Sequence, residues 1–227
     1  MSVTSGQEPW FADRVEAGRV LARQLEGFRH GGALVLGVPR GGVVVAAEVA
    51  RHLGLDLDVV VARKLGAPGA QELGIGAVAA DGERYLNRRL IARLGVSEVY
   101  VDAVTTAQLH EAQRRERFLR GDTPAPSVAG RTVIVVDDGL ATGATVRAAC
   151  QSLRRGRPAK LVVAVPVAAA PTCAELRNVA DEVICPYELD DMAAIGRYYR
   201  EFYPVEDHEV KAILDQARAH PAATATG

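Results

Sequence analysis

The chain has 227 residues, 48% of them apolar and 24% charged, with a formal net charge of −1. That apolar share supports a sizeable core and excludes general disorder. The balanced charge gives no electrostatic case for nucleic acid or an anionic membrane, so any anion site must be local.

Residues 1–9 read as a flexible end. Asp13 to about Phe28 forms an amphipathic pattern, with Val15, Val20, Leu21, Leu25 and Phe28 near one face. The segment ALVLGVPRGGVVVAAEVARHLGLDLDVVVARKLG then predicts a strand at 33–38, a glycine turn, a helix at 42–53 and a strand at 57–62. Such a βαβ unit makes the two strands parallel. Gly66, Pro68, Gly69 and Gly74 mark 64–74 as a long mobile loop, with short strands at 75–79 and 83–86. Asn87 is placed to cap a brief helix to Leu94, and Ser97 a longer one to about Leu119. The longer helix carries EAQRRERFLR. Its Glu111–Arg115 and Glu116–Arg120 spacings suit i,i+4 pairs on a solvated face better than a nucleic-acid patch.

After the Pro/Gly stretch 121–130 come a strand at 132–137, a helix at 143–155, a strand at 160–166, a helix at 172–179 and a strand at 182–185. Alternation of this kind predicts a parallel sheet covered on both faces. Past Pro186 the chain turns aromatic, and a last helix spans about 206–218 before a tail at 220–227 that reads as disordered. The longest apolar runs, such as Val43–Ala47 and Leu161–Ala170, are too short to cross a bilayer. MSVTSGQEPW has no secretory-signal pattern. Cys150, Cys173 and Cys185 include no CxxC pair, which removes zinc and thioredoxin-like readings and points to the cytoplasm. Cys150 and Cys185 fit plain core positions.

The chemistry concentrates in VIVVDDGLATGAT, Val133 to Thr145. A buried strand ends in Asp137 and Asp138, then Ala141-Thr142-Gly143-Ala144-Thr145 turns into a helix. Carboxylates at a strand's buried end are costly without a partner. Ionised, they only accept hydrogen bonds, so they call for hydroxyls or a metal holding them. The first N–H groups of the helix lack internal partners and, with the helix dipole, favour an anion. A sugar phosphate with vicinal hydroxyls satisfies both ends.

This stretch resembles the ribose-5-phosphate loop of type I phosphoribosyltransferases. The resemblance covers roughly residues 30–186. It implies that family's α/β fold: a mostly parallel twisted sheet with helices on both faces. The core would span 10–186 with a mobile loop at about 64–84, and a small C-terminal hood and helix would occupy 187–219. It implies that Asp137 and Asp138 hold the ribose 2′- and 3′-hydroxyls of phosphoribosyl pyrophosphate (PRPP), while Ala141, Thr142, Gly143, Ala144 and Thr145 hold its 5′-phosphate. VPRGG, Val38 to Gly42, is similar to the family's pyrophosphate loop, where Arg40, Gly41 and Gly42 would face pyrophosphate across a cis Pro39–Arg40 peptide. ARKLGAPGAQELG, Ala62 to Gly74, resembles the start of the flexible catalytic loop, most like the adenine enzymes. There Arg63 and Lys64 would neutralise pyrophosphate, and Glu72 would act on the acceptor's proton. Mg²⁺ is the implied cofactor, held by Asp137 and Asp138 mainly through PRPP hydroxyls and water. A homodimer is a common family state.

The whole chain also resembles a widespread bacterial phosphoribosyltransferase group of unsettled acceptor. That group's VGxWYxxF-like stretch here reads AIGRYYREF, Ala194 to Phe202. Alanine at 141 and the apolar Val165 and Pro166 depart from the 6-oxopurine enzymes. Hypoxanthine, guanine and xanthine are thereby disfavoured, and orotate is disfavoured by the lack of its loop pattern. Val165, Pro166, Tyr187, Met192, Tyr198 and Tyr199 are candidates to line an acceptor site under the hood, or to be hood core. Two other readings remain open: a PRPP- or nucleotide-sensing regulator without catalysis, and a hydrolase or phosphorylase using the same site.

Overall fold

The computed structural model describes residues 10–192 and 194–220. The end expected at 1–9, and all but the first residue of the tail expected at 220–227, lie outside the described residues. In chain order the elements are α1 (Arg14–Gln24), β1 (Leu34–Gly37), α2 (Gly41–Leu53), β2 (Asp56–Val59), β3 (Ala62–Ala67), β4 (Ala70–Ala79) and β5 (Arg84–Leu86). They continue with α3 (Arg88–Leu94), α4 (Glu98–Arg120), β6 (Thr132–Val136), α5 (Ala144–Arg155), β7 (Lys160–Ala164) and β8 (Val167–Ala169). The chain then forms α6 (Ala170–Leu176), β9 (Glu182–Ile184), β10 (Tyr187–Leu189), a 3-10 turn at Ile195–Tyr198 and α7 (Asp207–Ala219). Asn87 and Ser97 cap α3 and α4 as expected, their side chains accepting from the N–H groups of Leu90 and Tyr100.

The central sheet has the order β2-β1-β6-β7-β9, every pair parallel. Val133 to Val136 are wholly buried at its centre. Each such side chain contributes roughly 1.5–3 kcal/mol through burial. One face packs α1, α2 and α7 through Leu21, Val43, Leu53 and Leu214. The other packs α5 and α6 through Val146, Ala149, Cys150 and Leu176. The expected parallel sheet with two covered faces is therefore the fold.

Three expectations about elements change. The loop at 64–74 is a strand pair: β3 and β4 run antiparallel through a turn at Pro68–Gly69, with Gly69 at φ 70°. β5 completes a separate three-stranded sheet. The glycines that read as loop markers sit at register shifts and at close approaches: a Cβ on Gly66 would lie 2.8 Å from Gln71 Cα. Second, the strand expected at 160–166 ends at Ala164 as β7, and a further strand after it, β8, pairs with β10 outside the main sheet. Third, α4 is not a simply solvated face. Glu111 pairs with Arg114, and Arg115 instead reaches Asp207 of α7. Arg120 keeps Glu116, at 3.6 Å, but is mostly buried beside Asp58 of β2. Long arginine stems cover apolar surface where the helix meets its neighbours, which charge spacing alone does not reveal.

Candidate active site

Two strand-to-helix loops meet at the carboxyl ends of β1 and β6, the edge where open α/β sheets bind ligands. The first is Val38 to Gly42, entering α2; the second is Asp137 to Gly143, entering α5. The Pro39–Arg40 peptide is cis. Gly41 and Gly42 let the first loop lie directly on the acids of the second. A Cβ on Gly42 would come 2.8 Å from both Asp137 Cα and Oδ1, and one on Gly41 would overlap Asp138 Oδ2.

Each acid has one oxygen tied to the protein. Asp137 Oδ1 accepts from the Asp138 N–H at 2.9 Å. Asp138 Oδ2 accepts from Arg14 Nε at 2.8 Å. Asp137 Oδ2 and Asp138 Oδ1 take no hydrogen bond among the described residues. Asp137 keeps part of its surface open, but protein surrounds most of the carboxyl. Burial, and then the charge of Asp138, hold it well above the usual carboxylate range. Burial also raises Asp138, with Arg14 opposing.

The turn that follows is a cradle of donors. Among the described residues no acceptor takes the N–H groups of Ala141 to Thr145; the first such bond into α5 is from the Arg147 N–H to the Gly143 carbonyl. Gly143 stands at φ 63°, and a Cβ there would lie 2.6 Å from Thr172 Cγ2. Thr172 steadies the turn from α6 by donating its hydroxyl to the Ala141 carbonyl at 2.6 Å. The Thr142 and Thr145 hydroxyls have no partner among the described residues. Two acceptors thus stand beside a set of unclaimed donors, which suits a diol on one side and a phosphoryl group on the other.

The three cations expected at the site each stand beside a carboxylate. Arg40, which precedes the first turn of α2, is half-exposed and 4.0 Å from Glu206. Arg63 donates to Gln108 Oε1 at 2.7 Å and lies 4.0 Å from Glu111. Burial and the nearby Arg115 press its pKa down. Lys64 Nζ donates to Glu72 Oε2 at 2.8 Å and to the Glu72 carbonyl. The Glu72 side chain is 99% exposed, and the bond from Lys64 holds its carboxyl below the usual range. Nothing links Glu72 to the acid pair among the described residues.

A family profile described as "Phosphoribosyl transferase domain" matches residues 16–199. The chain belongs to this phosphoribosyl transferase domain family. Relatives from two Mycobacterium tuberculosis strains, named "Putative phosphoribosyl transferase MT0597" and "Putative phosphoribosyl transferase Rv0571c", are each 46% identical over 208 residues. Those residues are 91% of this chain but 47% of each relative, so the chain spans about half the length of the curated relatives it matches. The crystal structure of TT1426 from Thermus thermophilus is 42% identical, with a TM-score of 0.74 over 91% of this chain and 98% of that one.

The aromatics of the segment after β9 are packed against one another and against Trp10 and Phe11. Tyr187 and Tyr198 both pack on Trp10, with ring centroids 4.9 Å away in each case. Tyr199 is buried between Phe11 and Phe202. Met192 joins the same cluster. Val165 is sealed in the core beside α5, and Pro166 is buried next to it. The structure therefore brings Asp137, Asp138, the 141–145 turn, Gly41 and Gly42 together, while the six acceptor candidates all sit in packed clusters, Tyr187, Met192 and Tyr198 with part of their surface open. Tyr199 has a second task, donating its hydroxyl to the Asp138 carbonyl. Sequence reasoning missed Arg14, Thr172, Trp10 and Phe11. Arg14 lies 124 residues from its partner Asp138 and reads as the polar side of an ordinary helix. Only the aromatics at Trp10 and Phe11, beside those past Pro186, hinted that these two segments meet.

Proposed function

We propose that the chain transfers 5-phosphoribosyl from PRPP to a nitrogenous acceptor with release of pyrophosphate. One observation carries this reading: a free oxygen on each of two adjacent acids stands beside five unclaimed backbone N–H groups. Asp137 Oδ2 and Asp138 Oδ1 accept the ribose hydroxyls, and the turn from Ala141 to Thr145 holds the 5′-phosphate. The N–H groups of Gly41 and Gly42, with Arg40, Arg63 and Lys64, bind and neutralise the leaving pyrophosphate. Stabilising charge that develops on a leaving group supplies several kcal/mol of barrier lowering, of the order of 3 kcal/mol per well-placed donor. Glu72 acts here as the carboxylate that Lys64 releases when pyrophosphate arrives, since a lowered pKa makes it a poor base.

Magnesium fits this donor set. Among the described residues no group of three or more His, Cys, Asp or Glu could cage a metal. A pair of carboxylates with free oxygens suits a cation that keeps waters and shares its ligands with substrate phosphates. Asp137 and Asp138 would hold Mg²⁺ through the ribose hydroxyls and water, and the bound ion supplies charge neutralisation at the pyrophosphate oxygens. The acceptor is a heterocycle other than a 6-oxopurine, because Ala141 places no carboxylate beside it.

The test is a screen of free nucleobases and small heterocycles with PRPP and Mg²⁺, following pyrophosphate. Acceptor-dependent release is the expected result. PRPP binding without turnover assigns the chain to a sensing role, and release without any acceptor assigns it to hydrolysis.

A further inference from the structure

The ribose acids are held from outside the family span. Arg14 stands before residue 16, and Phe202 and Tyr203 stand after residue 199, the limits of the matched domain. Arg14 donates through Nε to Asp138 Oδ2 and through a terminal nitrogen to the Tyr203 carbonyl at 2.9 Å. Its guanidinium lies 3.8 Å from the centre of the Phe202 ring. Both partners of the ion pair are nearly enclosed, with side-chain exposures of 11% and 12%. On the other side the Tyr199 hydroxyl holds the Asp138 backbone. Asp138 is thus gripped at side chain and main chain by two segments that close the molecule's ends together. A planar, always charged guanidinium stacked on a ring is a rigid donor, where a lysine would be a mobile point charge.

We propose that Arg14 is a positioning residue that fixes the Asp138 carboxylate so that Oδ1 faces the ribose hydroxyl, making PRPP affinity depend on the closed contact between α1 and the 199–203 segment. The inference rests on the reading of the site given above. By engaging Oδ2 alone, Arg14 leaves a single acceptor direction open. It also keeps a carboxylate beside Asp137 that would otherwise turn away from its like-charged neighbour.

The experiment is calorimetric titration of the full chain with PRPP and Mg²⁺, in a double-mutant cycle of Arg14→Met and Asp138→Asn. Arg14→Met is expected to weaken binding about 10-fold with Asp138 present and less than about 2-fold with Asn at 138, as a charge-assisted bond acting through one partner requires. Arg14→Lys should recover part of the loss. In turnover the KM for PRPP should rise while kcat changes little. Arg19→Met, which removes an exposed pair with Glu48, is the control expected to match wild type. Wild-type affinity in Arg14→Met, or an equal loss in both backgrounds, overturns the inference. If Arg14→Met does not fold, Phe202→Leu replaces it in the cycle, with about a 3-fold loss expected only when Asp138 is present. A wild-type chain that does not bind PRPP overturns the proposed function instead.

Discussion

The two groups of residues proposed to bind PRPP are prepared in opposite ways. In the group proposed for the ribose phosphate, Asp137 Oδ2, Asp138 Oδ1 and the N–H groups of Ala141 to Thr145 have no partner among the described residues. In the group proposed for pyrophosphate, Arg40, Arg63 and Lys64 all stand near carboxylates: Glu206, Glu111 and Glu72. The difference follows from burial. The amides of the turn are fixed by backbone, and each acid is held through one oxygen, by the Asp138 N–H or by Arg14, so these groups do not turn to meet one another and stay open for a ligand. Half-exposed cations on long stems find partners whose loss costs little, since surface pairs are worth roughly 0–1 kcal/mol. On the proposed function, one end is built in advance and the other would exchange partners on binding.

The largest expected effect breaks the prepared end. Asp137→Asn with Asp138→Asn should weaken PRPP binding by more than about 100-fold, since two charge-assisted bonds at roughly 1.5–3 kcal/mol each are lost. Calorimetry measures this, with circular dichroism showing an intact fold; normal binding would remove these acids from the site. Gly41→Ala comes next. Its methyl overlaps Asp138 Oδ2, so the acid or the loop must move. PRPP affinity should fall about 10-fold, the scale of one displaced charged hydrogen bond.

Asp137→Asn alone sharpens the comparison through stability. The Asp137 pKa is raised in the folded chain by burial and by Asp138, so the folded state binds more protons than the unfolded one between the ordinary carboxylate range and the raised value. Stability therefore falls as pH rises through that window. The neutral amide escapes the penalty. In metal-free buffer near pH 7.5, Asp137→Asn should melt a few degrees higher than wild type, with the gap narrowing as pH is lowered. A variant that melts lower at every pH would refute the assignment of strain to this carboxylate. The smallest effect belongs to the exchanging end: Glu72→Gln frees Lys64 from its exposed partner and should tighten PRPP binding no more than about 3-fold.

Much of the site was legible because its parts are contiguous. The strand, acids and turn occupy Val133 to Thr145, and the loop proposed for pyrophosphate occupies Val38 to Gly42, each with its chemistry in a short segment. The cis Pro39–Arg40 peptide and the parallel sheet also match what those segments implied. The β3–β4 pair escaped notice because glycines at close approaches look the same as glycines in loops. The tyrosines of the C-terminal segment read either as acceptor-lining or as core, and the pattern could not show that they pack on Trp10 and Phe11, which lie far away in the sequence.

The sequence alone determined which residues can bind what: paired carboxylates accept, a helix's first amides donate, and arginine and lysine neutralise phosphate. Those are properties of residue type and local backbone. Tertiary structure alone decided which of these groups remain available. Arg14 takes one oxygen of Asp138 and leaves the other, and the aromatics take one another. Such pairings depend on which distant segments meet, and a linear pattern carries no record of distance in space.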